Sequence, residues 1–174
     1  MFVKKQCITV DNQVADRIIE RNGGILIAVA FDDTVSLTEK DESHWAAMRP
    51  IKQCFETLKV WKHLPNCQVY LYTNRDKSGT ERAIAWCANC RFEFDGLIGG
   101  WRPNDPPFGV ETTFTIDSRN LGTPLMHDKN GIYRDHVDWK TINNTITPML
   151  IELSEKITER KRYNKQHEEE ICFY

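Results

Sequence analysis

No stretch of this chain approaches the ~20 consecutive apolar residues needed to span a bilayer. Met1 to Val10 has two lysines but neither the apolar core nor the small-residue cleavage site of an export signal. Both absences point to a cytoplasmic protein with no membrane partner. A basic excess is missing too, since the formal net charge is -2. Phosphate-backbone binding ordinarily shows as a basic face, so nucleic acid is not an expected partner. Internal repeats and low-complexity tracts are also lacking. At 174 residues the chain suits a single domain, 1–174, with enough apolar content for a core.

Cysteine is present without a framework. Cys7, Cys54, Cys67, Cys87, Cys90 and Cys172 are scattered, mostly inside apolar patterns, which suits reduced core thiols better than disulfides. Cys87-x-x-Cys90, with Cys67 and His63 upstream, has no second CxxC to complete a zinc site and reads as the end of an apolar helix. His44, His127 and His136 fall in polar loops and read as surface residues.

What the chain does have is an apolar run that ends abruptly in acids: Ile25-Leu26-Ile27-Ala28-Val29-Ala30-Phe31-Asp32-Asp33-Thr34. Ile25 to Phe31 is apolar on both faces, as in a central parallel strand covered by helices. In open α/β sheets ligands bind in the crevice outside the strand C-termini, so this acidic edge is the expected site. Before it, Asp11 caps a short helix with Val14, Ile18 and Ile19 on one face, stopped by Gly23-Gly24. After it, Val35 to Arg49 is polar and mixed in charge, with Lys40-Asp41-Glu42 on a surface loop. A helical pattern then follows Pro50, with Ile51, Cys54, Phe55, Leu58 and Trp61 at spacings of three and four, until Pro65-Asn66 breaks it.

The logic of the first strand then repeats. Gln68 to Arg75 passes from apolar β-formers to hydroxyl, amide and guanidinium. Gly79 and Thr80 open a helix with Ile84, Trp86 or Cys87, and Ala88 inside; Phe94 to Ile98 is a short third strand. The loop from Gly99 to Pro107 is dense in glycine and proline and holds Trp101 and Arg102 near the strand edge. Thr112 to Ile116 forms a fourth strand ending in Asp117-Ser118-Arg119-Asn120. Asp128-Lys129-Asn130-Gly131 marks a turn, and Val137-Asp138-Trp139 leads into a closing helix with Ile142, Ile146, Met149, Leu150 and Leu153. Its tail, Arg160-Lys161-Arg162 and then Glu168-Glu169-Glu170, reads as a solvated helix end. Alternating strands and helices define an α/β fold with a Rossmann-like parallel sheet.

Three rims therefore carry the chemistry: Ile27-Ala28-Val29-Ala30-Phe31-Asp32-Asp33-Thr34, Leu71-Tyr72-Thr73-Asn74-Arg75 and Ile116-Asp117-Ser118. Their order resembles the first, second and fourth motifs of the haloacid dehalogenase (HAD) superfamily of magnesium-dependent phosphatases. Around them, Glu81 to Gly96, Asn120 to Leu125 and Val137-Asp138-Trp139 are similar to its small, nearly capless bacterial and phage branch. The resemblance spans about 25–150, leaving helical extensions at both ends, and implies a three-layer α/β sandwich with a minimal cap.

By that resemblance, Asp32 is the acid that protonates a leaving group and whose carbonyl reaches the metal. Thr73 holds the transferring phosphoryl oxygen, with Asn74, Arg75 and Arg102 as further phosphate-binding candidates. Asp117 joins Asp32 as a ligand to Mg2+ in a thinned site. The departures are as informative. The nucleophile position is Ala30, and a methyl group can neither attack phosphorus nor ligate metal. Asp33 stands where the family has glycine, and Ser118 replaces a second acid. No lysine occurs between Gly100 and Ile116, where Gly109 or Val110 occupies the third motif's place and Arg102 is the only cation, with Arg75 of the second rim as the other candidate for that role.

Together these departures point to coordinated loss of phosphatase activity and to binding of a phosphorylated small molecule or a protein partner. Two alternatives remain open: a magnesium-dependent phosphomonoesterase whose nucleophile alone is replaced by Ala30, and an assembly protein on the same scaffold. Either terminal extension is a candidate for contacts in a homo-oligomer.

Overall fold

The structure, a computed structural model, describes residues 11–39, 48–99 and 111–171, the last four by backbone alone. Cys7, His44, Trp101, Arg102, Gly109, Val110 and Cys172 lie outside the described residues. In chain order the elements are α1 (Asn12–Asn22), β1 (Ile25–Ala30), β2 (Ser36–Leu37), β3 (Arg49–Pro50), α2 (Cys54–Lys62) and β4 (Cys67–Thr73). Then come α3 (Lys77–Asn89), β5 (Gly96–Gly99), β6 (Phe114–Ile116), β7 (Leu125–Met126), β8 (His136–Val137) and α4 (Trp139–Ile171).

β1 is buried along its whole length, with a strand paired to each of its edges. β4 pairs with it in parallel, Val29 opposite Leu71 and Ala30 opposite Tyr72, and β6 pairs on the other side, Val29 opposite Ile116. β5 lies beyond β4, so the sheet order is β5-β4-β1-β6. This is the expected Rossmann-like parallel sheet flanked by helices. Its entry is tight: a Cβ at Gly24 would stand 2.5 Å from the Asn66 carbonyl oxygen. The next residue, Ile25, donates its N–H to that same oxygen at 2.7 Å. Only glycine lets these backbones meet so closely.

One apolar cluster joins alternate residues of the sheet, Ile25, Ile27, Val29 and Phe31 with Val69 and Leu71, to core residues of all four helices. Side chains alternate across a strand, so these helices gather on one face. The opposite face carries Leu26, Ala28, Ala30, Tyr70 and Tyr72, and no described helical core residue joins it. The described elements thus build two of the three expected layers. Trp61 and Trp139 are fully buried with ring centroids 5.8 Å apart. Each indole is satisfied, Trp61 by the Thr147 hydroxyl at 2.7 Å and Trp139 by the Thr34 carbonyl at 2.6 Å.

Local differences from the sequence expectations have physical causes. On α1 the buried residue is Ala15, while Val14 is 42% exposed; Ala15 stands one turn before both Ile18 and Ile19 and shares their face. On α3 the stripe is Gly79, Thr80, Ala83 and Cys87, leaving Ile84 exposed rather than inside. That helix also starts earlier than Gly79, because the Asp76 carboxylate caps it by accepting the Gly79 N–H at 2.6 Å. β1 ends one residue before Phe31, β4 ends at Thr73 rather than Arg75, and β5 starts at Gly96 rather than Phe94.

The polar stretch after β1 is more than a loop. Val35 and Ser36 are fully buried, and β2 and β3 form a short antiparallel ribbon. A second ribbon, β7 with β8, closes around the Asp128 turn, where the Asp128 carboxylate accepts the Ile132 and Tyr133 N–H groups at 2.7 and 2.9 Å. A Glu39–Tyr133 bridge and the Arg134 N–H on the Thr38 carbonyl join the two ribbons.

The solvated tail begins later than expected. Arg160 forks onto Asp16 of α1 at 2.8 and 2.9 Å, and Lys161 donates to the Asn66 side-chain oxygen at 2.6 Å. From Arg162 to His167 every residue is exposed. No helix among the described residues is long and apolar enough to cross a membrane.

Candidate functional site

A parallel sheet sends every strand C-terminus to the same edge, and here that edge gathers Asp32, Thr73, Asn74 and Arg75. With Ala30, Phe31, Tyr72 and Arg119 they line a cavity of about 180 Å³. Four of the predicted site residues therefore meet. Asp117 does not line the cavity; it is 5% exposed and sits behind Arg119.

Asp32 and Asp117 are each held by an arginine. Arg75 donates to both oxygens of Asp32, through Nε to Oδ2 at 3.1 Å and through Nη2 to Oδ1. Its guanidinium also lies over the Phe31 ring, 5.3 Å from the centroid. Arg119 donates to Asp117 through Nη2 to Oδ2 at 3.0 Å, Nε to Oδ1 at 3.2 Å and its backbone N–H to Oδ1 at 2.9 Å. The hydrogen bonds to Asp117 push the Arg119 pKa further up, against the opposing effect of partial burial. Planar forks of this kind are the strong form of arginine–carboxylate pairing.

Arg119 is the cavity-lining residue that sequence reasoning left without a role. The missing cation was sought in Arg102, between Gly100 and Ile116, or in Arg75 of the second rim; Arg75 lines the cavity, and Arg119, two residues after the fourth strand's acid, lines it too. The sequence signal was its spacing: an arginine two positions after a strand-end aspartate reaches back to it.

The remaining rim groups divide between ligand and loop. Thr73 is 4% exposed; its Oγ1 accepts the Arg75 N–H at 3.2 Å. Asn74 is exposed at the mouth. Asp33 points away from the cavity. Its backbone is left-handed, with φ 56°, a conformation aspartate tolerates better than most side chains. Its N–H and carbonyl bond to Ser36 and Val137, tying both ribbons to the rim. Among the described residues its Oδ1 and the Thr38 Oγ1 are the buried side-chain atoms without a hydrogen-bond partner. Burial raises the Asp33 pKa, with Thr38 and Arg134 acting the other way.

As arranged, these donors do not fit a magnesium ion. Both Asp117 oxygens face Arg119, both Asp32 oxygens face Arg75, and the Asp32 carbonyl lies 3.5 Å from the Ser118 hydroxyl. Among the described residues, no group of three or more His, Cys, Asp or Glu side chains is placed to hold a metal. Zinc chemistry at Cys87 and Cys90 has no more support. Cys54, Cys67, Cys87 and Cys90 are free thiols, and burial pushes Cys67 and Cys87 up to about 12. His127 is a surface residue as expected, within 2.8 Å of Asp135, whereas His136 is half-buried in β8 with Nδ1 3.1 Å from the Arg134 carbonyl.

The fold and rim define a Rossmann-like α/β domain with an acid–arginine pocket at the strand C-termini. A solved structure described as a conserved protein from Bacteroides thetaiotaomicron is similar to it, with a TM-score of 0.51 and 23% identity. The match covers 72% of this chain and 92% of the other, and at that identity it speaks for the fold alone. No family model and no curated protein matches the sequence.

Proposed function

We propose that this chain is a HAD-like scaffold that has lost phosphoryl transfer and uses its rim pocket to bind a phosphate-bearing small molecule. The observation that carries the reading is the pairing of both retained acids with arginines around a nucleophile position filled by Ala30, which is 2% exposed. Strand order supports it: the strand leading to Asp32 is central, between those leading to Thr73 and Asp117. In a phosphatase those carboxylates would be available to metal and leaving group; here they orient guanidinium groups. Arg75, Arg119, the Thr73 hydroxyl and the Asn74 amide supply donors without a strong nucleophile. About 180 Å³ holds a phosphoryl head but leaves the rest of the ligand at the mouth, where no described cap encloses it.

The test is calorimetric titration of the full chain with inorganic phosphate and a simple phosphomonoester, with and without magnesium, alongside Arg75→Ala and Thr73→Val. Metal-independent binding, weakened about tenfold or more in both variants, is the expected result. Magnesium-dependent release of phosphate from the ester, or binding unchanged in Arg75→Ala, overturns the reading.

A further inference from the structure

α3 ends in a left-handed turn that carries an arginine. The Arg91 N–H reaches back to the Ala88 carbonyl at 2.9 Å and the Phe92 N–H to the Cys87 carbonyl at 3.1 Å, closing the helix with Arg91 at φ 58°. Glycine, or less often asparagine, ordinarily takes that position, because a Cβ there is strained. What the arginine gains is placement: it lines a cavity of about 390 Å³ between the C-terminal ends of α2 and α3, at the edge of the sheet opposite the rim. Lys59, Lys62 and His63 line it too, against one carboxylate, Glu93. Lys62 is already committed, to the Glu93 carbonyl and to Asp95 at 3.0 Å. Lys59 and Arg91 are exposed, and among the described residues neither has an ion-pair partner. With Lys62 balanced by Asp95, Lys59 and Arg91 less Glu93 leave one net positive charge, which a single anionic group would neutralise.

Across Phe92 lies an apolar cleft of about 370 Å³. It exists because α3 presents small side chains, Cys87 and Ala88, toward Leu71 and Leu97, which are paired neighbours on β4 and β5. Ala88, Phe92 and Glu93 line both hollows, so one ligand lying across Phe92 fills both. Each hollow is of small-molecule size. Glu93 is the one charged residue in the lining of the cleft. A peptide laid there would bury backbone amides without partners, whereas an alkyl or aryl body has none to bury. None of these residues lines the rim pocket. We infer that the two hollows form a second ligand site, for a free amphiphilic carboxylate: its anionic head lies between Lys59 and Arg91 and its hydrocarbon body in the cleft beside Leu97.

Calorimetric titration of the full chain with straight-chain carboxylates from hexanoate to dodecanoate, each below its micelle concentration, tests this. Affinity should climb about fourfold with each added methylene until the cleft is full, and weaken as salt rises. The matching alcohols should bind about tenfold more weakly or worse. K59E/R91E removes the head contacts, and Ala88→Trp blocks the junction of the two hollows; each should lower decanoate affinity about tenfold or more. All three positions are exposed, and circular dichroism checks that the variants stay folded. Arg75→Ala, at the rim, should leave decanoate binding as it was. No binding at any chain length, alcohols held as tightly as acids, or decanoate affinity unchanged in K59E/R91E or in Ala88→Trp overturns the inference. So does loss of decanoate binding in Arg75→Ala, which would put the carboxylate at the rim, or capture of anionic lipid vesicles without binding of the free acids.

Discussion

Arg119 grips Asp117 from three donors, two on its guanidinium and one on its own backbone. The carboxylate is 7% exposed and the arginine side chain 67%, so the acid anchors the base rather than the reverse. Arg119→Ala leaves a buried carboxylate with one backbone partner. Because the arginine is largely in solvent, the cost is modest, about 1 kcal/mol, read as a melting temperature lower by a few degrees. Phosphate affinity falls with it; unchanged affinity would remove Arg119 from the pocket's machinery.

Ala30→Asp places a carboxylate at a 2% exposed site beside Asp32. Burying that charge costs several kcal/mol unless the group stays protonated, and Arg75 and Arg119 already hold the carboxylates that magnesium would need. Hydrolysis of p-nitrophenyl phosphate with magnesium should stay at background in this variant. Metal-dependent turnover would mean that one missing side chain accounts for the loss, and the phosphomonoesterase alternative would stand.

Asp33 gives a pH signature. Burial is the leading cause of its raised pKa, so ionising it costs more in the folded state than in the unfolded one. The fold is at full strength, as far as this group matters, below the unfolded aspartate pKa near ~3.9. It loses stability as pH rises from there through the raised folded value, and the penalty persists above it. Asp33→Asn keeps a side chain suited to φ 56° and removes the charge. Thermal melts from pH 4 to 8 should show the variant more stable at the high end, with the gap closing toward pH 4. A gap that widens on acidification contradicts this assignment.

Trp139→Phe retains most of the apolar contact with Trp61 but removes the 2.6 Å bond to the Thr34 carbonyl. An unpaired buried carbonyl costs about 1–3 kcal/mol, measurable by urea denaturation. Thr34 also accepts the Ser118 N–H at 3.0 Å, so the loss should loosen the rim and weaken phosphate binding along with stability.

Much of this architecture was legible because periodicity reports burial. The run from Ile25 announced a strand covered on both faces, and the spacing of Cys54, Phe55, Leu58 and Trp61 gave the inner face of α2. Three polar strand ends on one rim followed from parallel topology alone. What escaped depends on partners distant in sequence. Arg119 acquires its role only from the buried position of Asp117 behind it. The two ribbons escaped because their paired segments are two residues each, too short for alternation to register. Ile84 was misplaced because small residues, Gly79 and Ala83, form the buried stripe where larger ones were expected.

The last helix packs on α1 and α2 and reaches back to segments far apart in the chain. Trp139 reaches Thr34 across 105 positions, Thr147 reaches Trp61 across 86, and Arg160 reaches Asp16 across 144. During synthesis the N-terminal end leaves the ribosome first, so α1 and the central strand are exposed long before their clasp is translated. Such long-range closure slows folding and prolongs exposure of unpaired apolar strands. A nascent chain halted before residue 139 should therefore be protease-sensitive and bound by chaperones, maturing only when α4 clears the exit tunnel.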